Sequence, residues 1–194
     1  MFICDLETLG TESNCVVLSA ALIHFEFESE DLDPSRGADA FYHLVNSACV
    51  VKFKKQEQID LGRTVEERTL DWWDKQCDIV KKAATDRYPE DVSAALGIQT
   101  LRKYIDDNGG PNQIFWARGS LDQMAIDSLC RNIGVPHLTQ YNMWRDVRTA
   151  VDILASNAKN GYCRIKGFNS DLHVIKHLPS HDCALDVLML VNHE

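Results

Sequence analysis

Four carboxylates and one imidazole, spread from position 5 to position 186, could together bind a cation and move a proton. Asp5 and Glu7 are separated by one residue. Along an extended chain residues i and i+2 project to the same side, so both carboxylates can face one cation. The same acidic pattern recurs at Glu26/Glu28, Glu28/Glu30 and Asp31/Asp33. Context separates the first pair: the apolar run Met1 to Cys4 leads in and Thr8-Leu9-Gly10 leads out. Asp122 stands three residues after Gly119, at the start of an expected helix that follows an apolar strand. A first-turn aspartate also interacts favourably with a helix N-terminus, so this position has a structural reading beside the chemical one. His181 and Asp186 are five residues apart. Five helical residues advance about 500°, so the two side chains can flank one site without ligating the same ion.

Competing signals are weaker. His173, His177 and His181 repeat every four residues and could suggest a zinc stripe. Pro179 interrupts the helix such a stripe needs, which leaves His173 and His177 as loop or phosphate-side residues. There is no glycine-rich phosphate loop, no serine nucleophile elbow and no catalytic cysteine motif. Cys183 reads as a small buried residue.

The elements that must position these groups follow from the apolar patterning. Met1 to Cys4 and Cys15 to Phe27 read as two strands of a hairpin, Glu28 to Asp39 as an exposed acidic loop, and Phe41 to Phe53 as another strand region. Thr64 and Glu67 suit a capping box opening a helix through Leu70, Trp72 and Trp73, with a second helix before Pro89. Apolar residues at helical spacing between Asp91 and Asn108 predict a long helix, ended by Asn108-Gly109-Gly110-Pro111. A short strand over Gln113 to Ala117, a helix over Ser120 to Ile133, and helices over Met143 to Ala155 and His181 to Asn192 complete the chain. The class is α/β, a mixed central sheet flanked by helices, in one domain over residues 1–194.

Composition narrows the partners. The 194 residues are 45% hydrophobic and 25% charged, enough for a sizeable core. A formal charge of −9 excludes a protein that coats nucleic acid by charge alone. Seven scattered cysteines without a paired motif read as reduced thiols, which points to the cytoplasm. No apolar run approaches the roughly 18 residues of a membrane span, and the N-terminus lacks a basic leader, so no membrane association or export is expected.

Taken in order, the motifs resemble the DEDD superfamily of 3′-to-5′ exonucleases, and His181-x4-Asp186 resembles its histidine-containing branch, DEDDh. The similarity extends to the phage exodeoxyribonuclease A and bacterial exoribonuclease-like group. It is carried by Asp5-Leu6-Glu7-Thr8-Leu9-Gly10, Thr69-Leu70-Asp71-Trp72-Trp73, Trp116-Ala117-Arg118-Gly119 before Asp122, Trp144-Arg145-Asp146-Val147-Arg148-Thr149 and His181-Asp182-Cys183-Ala184-Leu185-Asp186. The resemblance implies a ribonuclease-H-like fold and two Mg²⁺ or Mn²⁺ ions held by Asp5, Glu7, Asp122 and Asp186. Divalent ions of this kind can activate water and hold the departing 3′-oxygen, and His181 would act as general base. By the same resemblance Thr8 and Leu9 meet the terminal nucleotide; one of Trp72 and Trp73 is expected to stack on a base while the other is core, and Arg118, Arg145 and Arg148 are the candidates for phosphate contact. Arg145 and Arg148 have a structural alternative, pairing with Asp146 and Asp152.

The expected activity is release of nucleoside 5′-monophosphates from single-stranded DNA 3′ ends. An exoribonuclease and an inactive end-binding module are the alternatives. Relatives often dimerise, so a homodimer is compatible with the resemblance; for a phage protein, the host cytoplasm would be the site of action.

Overall fold

The computed structural model describes residues 1–86 and 88–193. The apolar alternation of the first segments produces β1 (Phe2–Thr8) and β2 (Val17–His24), an antiparallel pair running from Phe2↔His24 to Thr8↔Val17, with a register shift between Glu7 and Thr8. The acidic loop that follows contains two short 3-10 turns, Glu30–Leu32 and Pro34–Arg36.

Residues 41–53, expected as strand, divide instead into helix α1 (Ala38–Ser47) and strand β3 (Cys49–Lys52). Ala40, Phe41 and Leu44 all bury on one face of α1, a helical spacing that a short apolar run does not distinguish from a strand. Next come α2 (Lys55–Asp60), α3 (Glu67–Asp74) and α4 (Asp78–Thr85). The expected capping box does not form. Thr64 is engaged in a bridge with Cys15 and donates its hydroxyl to Asn14 O, so α3 starts at Glu67 behind an N-cap, Glu66, that makes no side-chain capping bond.

The long helix is α5 (Ala94–Asp107), capped by the Ser93 side chain accepting from Leu96 N. Strand β4 (Phe115–Ala117) and helix α6 (Leu121–Asn132) fall where the pattern placed them. The segment expected as one helix from Met143 begins as β5 (Trp144–Asp146) and becomes α7 (Val147–Leu154) only after Asp146 caps it, accepting from Thr149 N. A one-turn helix, α8 (Ser170–His173), precedes α9 (Pro179–Val191), where Pro179 occupies the first turn and needs no N–H partner.

The five strands form one mixed sheet in the order β3-β2-β1-β4-β5. β1–β2 and β2–β3 are antiparallel, while β1–β4 and β4–β5 are parallel. Period-2 alternation divides β1 between two layers. Phe2, Cys4 and Leu6 pack with Ile98, Leu101 and Ile105 of α5 and Ala125, Ile126 and Leu129 of α6. Ile3 faces the other way, against Phe41 and Leu44 of α1, Val147 and Val151 of α7 and the apolar side of α9. A third cluster beyond the strand end joins Leu9, Val16, Leu18, Trp73, Val80 and Ala84. The turn after β1 is fixed by the buried Arg63, which donates to Cys15 O, Ala125 O, Ser128 and Asn132 and so ties that turn to α6. Among the described residues no helix is long and apolar enough to cross a membrane.

Candidate active site

The carboxyl ends of parallel strands in an open α/β sheet are where ligand crevices form, and a cleft of about 460 Å³ opens there. Its walls include Asp5, Glu7, Asp122, Asp182 and Asp186, together with Arg118, Arg148, Lys176 and His177. The alternation that turns Ile3 toward α9 also turns Asp5 and Glu7 that way. Asp122 approaches from the opposite layer at the start of α6, and its Oδ1 accepts from Leu6 N at 3.1 Å, which ties the helix end to the strand end.

On α9, Asp182 and Asp186 are four residues apart and share a face, both lining the cleft. His181, expected as the general base, does not line it. One residue before Asp182 it sits about 100° round the helix. Its Nδ1 accepts from Ile175 N at 3.2 Å and its ring meets Phe41 edge-on at 5.2 Å. The imidazole on the cleft wall is His177, in the turn before α9. Its φ is 65°, its N–H donates to Asp182 Oδ2 at 2.6 Å, and its ring stands edge-on to Trp72 at 4.7 Å. Asp182 was not among the expected site residues, and His177, expected as a loop or phosphate-side residue, meets the carboxylates instead. The i, i+4 spacing of Asp182 to Asp186 was a usable signal; nothing local marks a loop histidine that folds back.

Burial dominates the electrostatics. It pushes the Asp5 carboxyl well above the usual range, with Glu7 and Asp122 adding repulsion. Glu7 rises to about 9 through burial and then the charges of Asp182 and Asp122. Asp122 rises to about 7 through burial, restrained by the Leu6 N–H, and Asp182 to about 6 through burial, restrained by the His177 N–H. Asp186 is raised by burial and held back by Arg118. Arg118 Nε donates to both Asp186 oxygens at 3.0 and 3.1 Å, its Nη2 also reaches Asp186, Nη1 donates to Gly161 O at 2.8 Å, and the guanidinium lies 4.2 Å over the Tyr162 ring. Asp5 Oδ2 is buried and has no hydrogen-bond partner.

An adjoining cleft of about 470 Å³ shares Leu6, Glu7 and Leu121 with the first and is walled by Thr8, Arg68, Thr69, Trp72 and Trp73. Trp73 is 2% exposed and its Nε1 donates to Thr8 O at 2.9 Å, so it is the core member of the pair; Trp72 is 39% exposed and faces the cleft. The Thr8 hydroxyl donates to Gly10 O at 2.7 Å. Leu9, expected to wedge against the terminal nucleotide, is instead 1% exposed in the third cluster, because its N–H pairs with Val16 O and turns the side chain toward Leu18 and Trp73. Among the described residues neither Arg145 nor Arg148 forms an ion pair within 4 Å with Asp146 or Asp152, although the Arg148 charge helps to lower the Asp146 pKa at longer range. Arg145 donates to Asn142 O and Trp144 O, Asp146 accepts from Gly119 N and Thr149, Asp152 accepts from Gly161 N, and Arg148 lines the cleft.

Residues 1–174 match the Rv2179c-like 3′-5′ exoribonuclease domain family. The chain is also 30% identical to a protein of Enterobacteria phage T4 named "Exodeoxyribonuclease", in an alignment of 207 positions covering 97% of this chain and 86% of the relative. The family match stops before α9, whereas the span of the phage alignment leaves room for at most a few unaligned residues of this chain. The chain therefore belongs to the Rv2179c-like 3′-5′ exoribonuclease domain family, within the DEDD-type 3′-5′ exonucleases.

Proposed function

We propose that residues 1–194 form one ribonuclease-H-like exonuclease domain that removes nucleoside 5′-monophosphates from the 3′ ends of single-stranded DNA. The observation that carries this reading is the convergence of Asp5, Glu7, Asp122 and Asp186 on one cleft from β1, α6 and α9. The sheet order β3-β2-β1-β4-β5, with antiparallel strands on one side of β1 and parallel ones on the other, supports the fold assignment.

The residues fit a divalent metal site. The donors are hard carboxylate oxygens, suited to Mg²⁺ or Mn²⁺. A buried Asp5 oxygen without a partner, and carboxyls raised by burial and mutual repulsion, are what a cation would relieve. Asp5, Glu7, Asp122 and Asp186 would hold two such ions, which when bound supply activation of water and stabilisation of the departing 3′-oxygen.

The protein's own groups do the rest. Arg118, Arg148 and Lys176 give the cleft wall positive charge for the phosphates. Trp72 offers a half-exposed ring for base stacking, held in place by edge contact with Trp73 at 4.9 Å and with His177. Thr8 lines the adjoining cleft beside it and receives the terminal nucleoside. His181 is the proposed general base; to accept a proton from the attacking water its ring would have to leave Ile175 N and Phe41 and turn toward Asp186. In its resting position burial lowers the His181 pKa.

DNA is favoured by the T4 relative, whose alignment extends over almost the whole chain. An exoribonuclease is the second reading, favoured by the description of the matching family. Digestion of matched 5′-labelled DNA and RNA oligonucleotides with Mg²⁺ or Mn²⁺ tests both. A ladder shortening from the 3′ end of DNA supports the proposal, preferential shortening of RNA supports the second reading, and no product with either metal indicates an end-binding module.

A further inference from the structure

We propose that Glu7, His177 and Asp182 form a seat for a divalent transition ion, Mn²⁺ or Zn²⁺ in preference to Mg²⁺. The seat is distinct from the four-carboxylate set, sharing only Glu7 with it. It deepens the exonuclease reading and rests on it only through that shared residue. One ligand atom from each of the three residues lies within 4.8 Å of the others. Adjacent donors around an ion at 2.0–2.2 Å are roughly 3.0–3.5 Å apart, so the three side chains close on an ion by a contraction of up to about 1.5 Å.

Three further observations favour a ligand role for His177. Its backbone is held at φ 65°, one of two non-glycine residues with positive φ among those described, a conformation that costs about 1 kcal/mol or more and turns the loop back on the strand end. Asp182 Oδ2 is occupied by the His177 N–H, which leaves Oδ1 for an ion and ties two of the three donors together. Trp72 and Trp73 contact the imidazole edge-on at 4.7 and 6.4 Å and restrict its orientation, as a preorganised ligand requires. The nitrogen donor decides the ion: imidazole suits transition metals, while an all-oxygen set suits Mg²⁺. An ion there would offset the charge of Glu7 and Asp182 where the two clefts meet.

The test uses Mn²⁺ alone as probe. Pulsed electron paramagnetic resonance of the Mn²⁺-loaded chain reads a directly bound ¹⁴N, and calorimetry reads Mn²⁺ and Mg²⁺ affinities. Wild type is expected to show the nitrogen coupling. His177→Asn, which keeps a residue tolerant of positive φ and so preserves the fold, is expected to lose the coupling and to bind Mn²⁺ roughly tenfold more weakly or worse, with Mg²⁺ affinity unchanged. His181→Asn is expected to retain the coupling. Absence of nitrogen coupling in wild type, or equal Mn²⁺ affinity in His177→Asn, overturns the seat even if the chain degrades oligonucleotides. Coupling present without any 3′-to-5′ hydrolysis overturns the exonuclease reading and leaves the seat standing.

Discussion

Arg118→Ala removes the cation that grips Asp186, and the structure sets the size of the effect. The pair is nearly dry, with side-chain exposures of 12% and 9%, and Arg118 Nε bonds both carboxylate oxygens. Removing one partner of such a buried pair typically costs about 3–5 kcal/mol, because the other charge is left uncompensated. A ceiling exists, since Asp186 can escape by protonation; from an ordinary carboxyl pKa of 3.8, neutralising it at pH 7 costs about 4 kcal/mol. Arg148 also lowers the Asp186 pKa and remains in the variant, so the expected loss is about 3 kcal/mol in metal-free protein at pH 7. For a chain of this size that is a fall in Tm of about 6–12 °C.

The pH dependence separates this cause from lost packing. In the variant the folded-state pKa of Asp186 rises further, so its contribution is intact below the unfolded pKa and lost as pH rises. The deficit should therefore shrink to about 1 kcal/mol at pH 4.5. Arg118→Met, which restores an apolar stem over Tyr162, should recover little at pH 7. Thermal or urea melts in chelator at both pH values measure this. A loss under about 1 kcal/mol at pH 7, or equal losses at both, would refute the argument.

Other outcomes follow from the same site. Metal-free wild type should lose stability as pH rises through about 6, 7 and 9, where Asp182, Asp122 and Glu7 ionise in the fold, because raised carboxyl pKa values favour the folded state only while the groups hold protons; a melting temperature flat from pH 5 to 9 contradicts this. Asp5→Asn should raise the Tm of the metal-free chain at pH 8 while cutting oligonucleotide hydrolysis by about three orders of magnitude or more, a combination a purely structural aspartate would not give. Trp72→Ala should raise KM by roughly ten- to a hundredfold, the worth of one stacked base, with little change in Tm. Trp73→Ala should instead cost about 3–5 kcal/mol in a denaturant melt, since it empties the core beneath Leu9 and Val80. His181→Ala should lower kcat by about two to four orders of magnitude, and a near-normal rate would remove it from the reaction.

The residue pattern alone marks the strand that carries Asp5 and Glu7, the helices that carry Asp122 and Asp186, and the order of motifs that identifies the family. These are local quantities: period-2 alternation sends Asp5 and Glu7 to the Ile3 side, and helical spacing marks α5 and α6 without any knowledge of neighbours. It misread residues 38–47 and 144–146, because runs of three to ten residues satisfy helix and strand patterns alike until the partner surface is known. Which histidine meets the carboxylates depends on how the helices dock. His181 lies in the recognisable motif, but the docking of α9 between α1 and the sheet turns it toward Phe41. His177 lies in a loop, and its approach to Glu7 depends on a positive φ and a hydrogen bond to Asp182 that no spacing rule encodes. The fates of Leu9, Trp72 and Trp73 likewise depended on the turn after β1. Which side chain faces a cleft is set by the chain crossing beside it, and that is a property of the folded whole.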